Sequence, residues 1–149
     1  MITCKFEDGN EASLRHVVVD SLAVKGQQIL LCKRAPHLTN PGKYGFPGGF
    51  LNRGETTQQA VLRELKEETG YDGKVIKLLE IKDNPDRKGE DRQNVSLVYL
   101  VEVGDKEANP DGEAEEVVWF DVDKLPAEEE WAFDHFEIVK KYLTDSKLS

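Results

Sequence analysis

The sequence predicts an α/β fold in which a mixed β-sheet lies between helices packed on both faces. Three observations carry this. Short apolar runs bounded by turn residues recur near 17–24, 29–32, 74–82, 94–103 and 116–120. Two stretches of helical periodicity interrupt and follow them, at 57–69 and 127–144. The chain has 149 residues, enough for one domain over 1–149 that buries its own core without a disulfide or zinc staple.

The elements follow in order. Val17-Val18-Val19 with Leu22-Ala23-Val24 reads as a long strand or bent hairpin arm, Gly26-Gln27 as a turn, and Ile29–Cys32 as the next strand. Residues 34–43, with Pro36, Asn40, Pro41 and Gly42, form a loop. Tyr44-Gly45-Phe46 is at most a short strand before Pro47-Gly48-Gly49. A helix over 57–69 opens on a capping box of Thr56 and Gln59 and stops at Gly70. A second helix is expected over 127–144, with Glu128-Glu129-Glu130 in its first turn and Trp131, Phe133, Phe136, Ile138, Val139, Tyr142 and Leu143 on its apolar side.

Composition narrows the function. The charge sum is 20 minus 29, or −9, so non-specific binding to a nucleic acid polymer is disfavoured. Residues 1–75 carry ten Lys/Arg against nine Asp/Glu, and residues 76–149 carry ten against twenty. An anion site in the second half therefore needs a metal or local basic residues. Cys4 and Cys32 form neither a zinc tetrad nor a disulfide framework, which points to the reducing cytoplasm. The charged N-terminus does not read as a signal peptide, and the longest apolar stretch, near Leu97–Val101, is far too short for a membrane span.

The chemistry concentrates in the first helix. At ~100° per residue, Glu64 and Glu68 lie ~40° apart and Glu67 lies ~60° to the other side of Glu64. Three carboxylates thus share one face, while Val61 and Leu65 point elsewhere, toward a core. A cleft tolerates such like charges only with a counter-ion, and hard carboxylate oxygens on a rigid helix suit Mg²⁺ or Mn²⁺. Ahead of the helix, Gly48-Gly49 lets backbone approach a ligand closely. Glu55 stands at the loop–helix junction, where Arg63 is placed to clamp it with a bidentate pair.

Written out, the segment is Gly49, five residues, Glu55, seven residues, then Arg63-Glu64-Leu65-Lys66-Glu67-Glu68-Thr69-Gly70-Tyr71. It resembles the Nudix hydrolase signature G-x5-E-x7-R-E-U-x-E-E-x-G-U in all its fixed letters; only the final aliphatic position departs, as Tyr71. The resemblance extends more loosely through Tyr44–Gly49 and the Trp119-Phe120 strand with Leu125-Pro126.

The resemblance implies an α/β/α sandwich that hydrolyses a phosphoanhydride in a nucleoside diphosphate linked to another group. It implies Glu64 and Glu68 as metal ligands, with Glu67 as a third and the Gly48 carbonyl as a further one. Arg63 and Glu55 would orient the carboxylates around Mg²⁺ (or Mn²⁺), and water would attack phosphorus while a glutamate accepts its proton. That base lies either in the helix signature or on the loop before the last strand, which offers Glu113, Glu115 and Glu116. Arg34, Arg87 and Arg92, with the Gly49 backbone, are candidates to hold substrate. Tyr44, Phe46, Phe50, Tyr99, Trp131 and Phe133 are aromatic candidates for stacking on a base, though Tyr99 and Phe133 read equally well as core.

Two features favour ADP-ribose, cleaved to AMP and ribose 5-phosphate. Pro85 lies fifteen residues after Gly70, which resembles the proline that ADP-ribose pyrophosphatase members often have there, and Ala132-Phe133-Asp134-His135 is similar to a segment of several ADP-ribose-handling members. The alternatives are a MutT-like nucleoside triphosphate pyrophosphohydrolase and a non-catalytic ADP-ribose sensor. Partners implied are a small nucleotide and, as in similar members, a second copy in a homodimer, but no membrane.

Overall fold

The computed structural model describes residues 1–148, with side chains through Ser146. A separate hairpin, β1 (Ile2–Lys5) and β2 (Glu11–Leu14), precedes the main sheet. Its strands are four residues each and mostly exposed, so they carry no apolar alternation that the sequence could reveal.

The main sheet contains β3 (Val17–Lys25), β4 (Gln28–Arg34), β5 (Tyr44–Gly45), β6 (Gly48–Phe50), β7 (Tyr71–Lys82), β8 (Val95–Lys106) and β9 (Ala114–Asp121). Its central path runs β5-β4-β3-β8-β7, with β6 on β3 and β9 on β4. The β3–β8 pair is parallel and the others are antiparallel, giving the expected mixed sheet.

Period-two alternation sends successive residues to opposite faces. Val19, Ala23, Leu30, Tyr99 and Val101 pack against Ala60, Val61 and Leu65 of helix α1 (Thr57–Thr69). Leu22, Ile29, Leu31, Val98 and Leu100 pack against Ile138 and Val139 of helix α2 (His135–Leu148). The sandwich thus has one helix on each face. No helix is long and apolar enough to cross a membrane among the described residues.

The expected helix over 127–144 is corrected. Glu128–Glu130 form one 3-10 turn, and α2 begins only at His135. Between them the chain is claimed by the sheet: Trp131 bridges to Tyr44, and the Ala132 N–H donates to the Tyr44 carbonyl at 2.8 Å. The Trp131 indole is buried and donates to the Pro126 carbonyl. Phe133 then takes a left-handed φ of 52°, which turns the chain into α2. The apolar periodicity was real, but its first residues serve a strand-like bridge.

Candidate active site

Helix α1 is fixed at both ends. Thr56 and Gln59 form the reciprocal capping box, and Gly70, at φ 82°, closes the helix through its N–H to the Lys66 carbonyl. With Ala60, Val61 and Leu65 buried beneath, the acidic face is turned to the other side.

The sheet opens a cleft beside that face. Strands β3 and β4 pair only over Ala23–Lys25 and Gln28–Leu30; further along, β3 instead pairs with β6, Val18–Asp20 against Gly48–Phe50. This seam is tight enough to demand glycine. A Cβ on Gly48 would run into the Val19 carbonyl and lie 2.5 Å from Asp20 Oδ1. A Cβ on Gly49 would lie 2.5 Å from Glu64 Cδ. The Glu64 carboxylate therefore rests directly on the Gly49 backbone.

Arg63 organises the acids. Its Nε and Nη2 donate to Glu55 Oε2 and Oε1 at 2.9 and 2.7 Å. Nη1 donates to Glu64 Oε1 at 2.8 Å and Glu67 Oε2 at 3.1 Å, and Nη2 also reaches the Phe50 carbonyl. The guanidinium hydrogen bonds, with the Asn52 N–H, hold Glu55 ionised, its pKa lowered to about 2. Glu68 accepts from the Gly48 N–H at 3.2 Å, and the Cys32 thiol lies 3.9 Å from the same oxygen.

Burial pushes Glu68 up to about 8, with the neighbouring negative charges of Glu64, Asp111 and Asp20 adding to it against the Gly48 hydrogen bond. Glu64 and Asp20 are raised too, again chiefly by burial. Buried carboxylates crowded around Glu68 are short of positive charge, a need a divalent cation meets. The oxygen-only donor set suits Mg²⁺ or Mn²⁺. Among the described residues, no three acidic, His or Cys side chains are already drawn into one coordination shell.

The cleft widens into a cavity of about 400 Å³. Its lining includes the acids Glu64, Glu67, Glu68 and Glu113 and the cations Lys33, Arg34, Arg87 and Arg92, the last preceded by Glu90 and Asp91. Glu113 precedes β9 and lines the cavity; Glu115 and Glu116 lie on β9, exposed and outside the lining. Arg34 is held by the Thr39 carbonyl and hydroxyl. Arg92 lies 5.9 Å over Phe50. Arg87 is not free: its Nε and Nη2 both donate to Asp134 Oδ1, at 3.0 and 2.6 Å, and its side chain is 5% exposed. Of the aromatic candidates, Phe46, Phe50 and Phe133 line the cavity, Phe133 with the guanidiniums of Arg34 and Arg87 at 5.0 and 5.5 Å from its ring. Tyr99 belongs to the α1-side core, where its hydroxyl meets Thr57 Oγ1.

The sequence reading missed Asp20, which lines the cavity and accepts a hydrogen bond from Ser96. Its signal was an acid in the middle of an otherwise apolar strand.

The fold is an α/β/α sandwich, and its cleft brings the acidic face of α1 together with basic side chains. The NUDIX domain family model matches residues 14–142, and the chain belongs to the Nudix hydrolase family. It is 40% identical over 129 residues to an ADP-ribose pyrophosphatase of Methanocaldococcus jannaschii, covering 85% of this chain and 72% of that protein. It is 32% identical over 106 residues to the NAD-capped RNA hydrolase NudC of Chromobacterium violaceum, spanning 70% of this chain but only 37% of that protein. A Nudix hydrolase crystal structure from Nitrosomonas europaea superimposes with a TM-score of 0.79 over 97% of this chain and 85% of that one, at 23% identity. Nudix hydrolases generally use a divalent metal and act on small nucleotide substrates.

Proposed function

We propose that this chain hydrolyses ADP-ribose to AMP and ribose 5-phosphate with Mg²⁺ or Mn²⁺. The observation that carries it is that the Glu64–Glu67–Glu68 face lines one cavity together with Arg34 and Arg92. The relative at 40% identity supports the choice of substrate.

In this reading Glu64, Glu68, Glu67 and the Gly48 carbonyl hold the ion. A divalent ion held there supplies Lewis-acid polarisation of the diphosphate and neutralises part of its charge. Arg63, clamped by Glu55, keeps the carboxylates aligned before substrate arrives, so little reorganisation is left for the reaction. Arg34 and Arg92 line the same cavity and offset the charge of the diphosphate. Water attacks one phosphorus of the diphosphate, the bond from that phosphorus to the bridging oxygen breaks so that the other phosphate leaves with that oxygen, and a cavity-facing acid takes the water's proton: Glu67 or Glu113, rather than Glu115 or Glu116, which do not reach the lining.

The test is a product analysis with ADP-ribose and a panel of nucleoside triphosphates, with Mg²⁺ and with EDTA. AMP plus ribose 5-phosphate, formed only with metal, is the expected result. Pyrophosphate plus a nucleoside monophosphate, with ADP-ribose untouched, would establish the triphosphate activity instead. ADP-ribose binding without turnover of any compound would make the protein a sensor.

A further inference from the structure

One part of the cavity lining, to which Asn94 and His135 contribute, is left unused by the metal chemistry. It is built where β3 and β8 run parallel, Val18 beside Ser96 and Asp20 beside Val98. Asp20 accepts from the Ser96 hydroxyl there. Asn94, just before β8, follows Gln93 in a left-handed turn of φ 54°. Arg15 fixes that turn by donating to the Gln93 and Asp83 carbonyls at 2.5 and 2.6 Å. Asn94 is 9% exposed and lines the cavity, yet its Oδ1 has no hydrogen-bond partner.

His135, at the start of α2, faces the same cavity and is 2% exposed. Its Nδ1 accepts the Phe46 N–H at 3.0 Å, and its ring stacks on Phe46. A neutral ring that accepts at Nδ1 carries its proton on Nε2. Burial, with Arg87, Arg34 and Lys82 nearby, keeps the ring neutral. Nε2 is therefore a donor, and it too is buried without a partner.

A buried donor and a buried acceptor left unmatched are each costly, so their persistence beside a cavity asks for a ligand that satisfies both. Phosphate oxygens only accept, and Asn94 Oδ1 would oppose them. A sugar hydroxyl donates and accepts at a single atom. We propose that Asn94 and His135 form a hydroxyl-reading wall that selects a diphosphate bearing a second sugar over one that ends in phosphate. This rests on the reading of the chain as an ADP-ribose hydrolase. A wall built to hydrogen-bond hydroxyls discriminates strongly, because an analogue lacking them leaves its polar atoms unpaired.

The test is calorimetric titration of metal-free protein in EDTA with ADP-ribose and with ADP. Asn94→Ala removes an acceptor that has no protein partner. His135→Gln retains an oxygen able to accept the Phe46 N–H. Each variant is expected to weaken ADP-ribose binding about tenfold while leaving ADP unchanged. Unchanged ADP-ribose affinity in Asn94→Ala overturns the proposal, and that variant alone decides should His135→Gln not fold. Equal weakening of both ligands also overturns it, since the wall would then read the shared nucleotide. In both cases wild-type turnover of ADP-ribose leaves the proposed function standing. A wild-type protein that neither binds nor hydrolyses ADP-ribose sinks both.

Discussion

Gly49 and Glu64 touch so closely that no side chain fits between them: a Cβ on Gly49 would lie 2.5 to 2.7 Å from the atoms of the Glu64 carboxylate. The glycine therefore sets where the acid can stand. Gly49→Ala should move the Glu64 carboxylate off its seat and lower kcat/KM about 10²-fold, the cost of misplacing a reacting group by an ångström or so. Steady-state kinetics with ADP-ribose check this; unchanged kinetics would show that the seat does not matter.

Arg63 spreads its guanidinium over Glu55, Glu64, Glu67 and the Phe50 carbonyl. Lysine keeps the charge but cannot reproduce the fork. Arg63→Lys should lower metal affinity or activity about 10- to 100-fold, as loss of an orienting partner behind a metal ligand generally does. A Mg²⁺ titration of activity reads it, and full activity in Arg63→Lys would remove the fork from the mechanism.

Glu68 combines burial with a pKa raised to about 8. Mg²⁺ should raise the melting temperature of the wild-type protein, because a ligand of the folded state alone stabilises it. Glu68→Gln should lose that shift together with metal-dependent turnover. Retention of both would exclude Glu68 from the metal site.

His135 gives a pH signature of known sign. Its folded pKa is pushed well below 6.5 by burial, whereas the unfolded ring titrates at about 6.5. Above that pH both states are neutral and the His135 contribution is fully present. As pH falls, the unfolded chain takes up a proton that the folded chain refuses, so stability drops by up to about 1.4 kcal/mol per pH unit. Urea unfolding of wild type and His135→Gln should show a difference that moves steadily against the wild type as pH falls from 7.5 to 5. A difference that stays constant would mean that the folded ring protonates as readily as the unfolded one.

What the sequence made legible was local. Thr56, Gln59 and Gly70 mark the ends of α1 because caps act within a turn or two, and the i, i+3, i+4 placement of Glu64, Glu67 and Glu68 follows from helix geometry alone. What it hid was set by distant partners. The start of α2 depends on Trp131 and Ala132 bonding to Tyr44, nearly ninety residues away in sequence, which no periodicity reports. The divergence of β3 from β4 brings Asp20 to the cavity through pairing with β6, and Asp20 was passed over because its strand otherwise read as core. Arg87 was legible as a cation but not as the buried partner of Asp134.

The decisive measurement is a Mn²⁺ titration followed by electron paramagnetic resonance, comparing wild type with a Glu64→Gln/Glu68→Gln double variant whose fold is verified by circular dichroism. The wild type should take up Mn²⁺ with loss of the free-ion signal, and the double variant should leave that signal intact. Equal uptake by both would place the cation elsewhere and contradict a metal centre on the α1 acidic face.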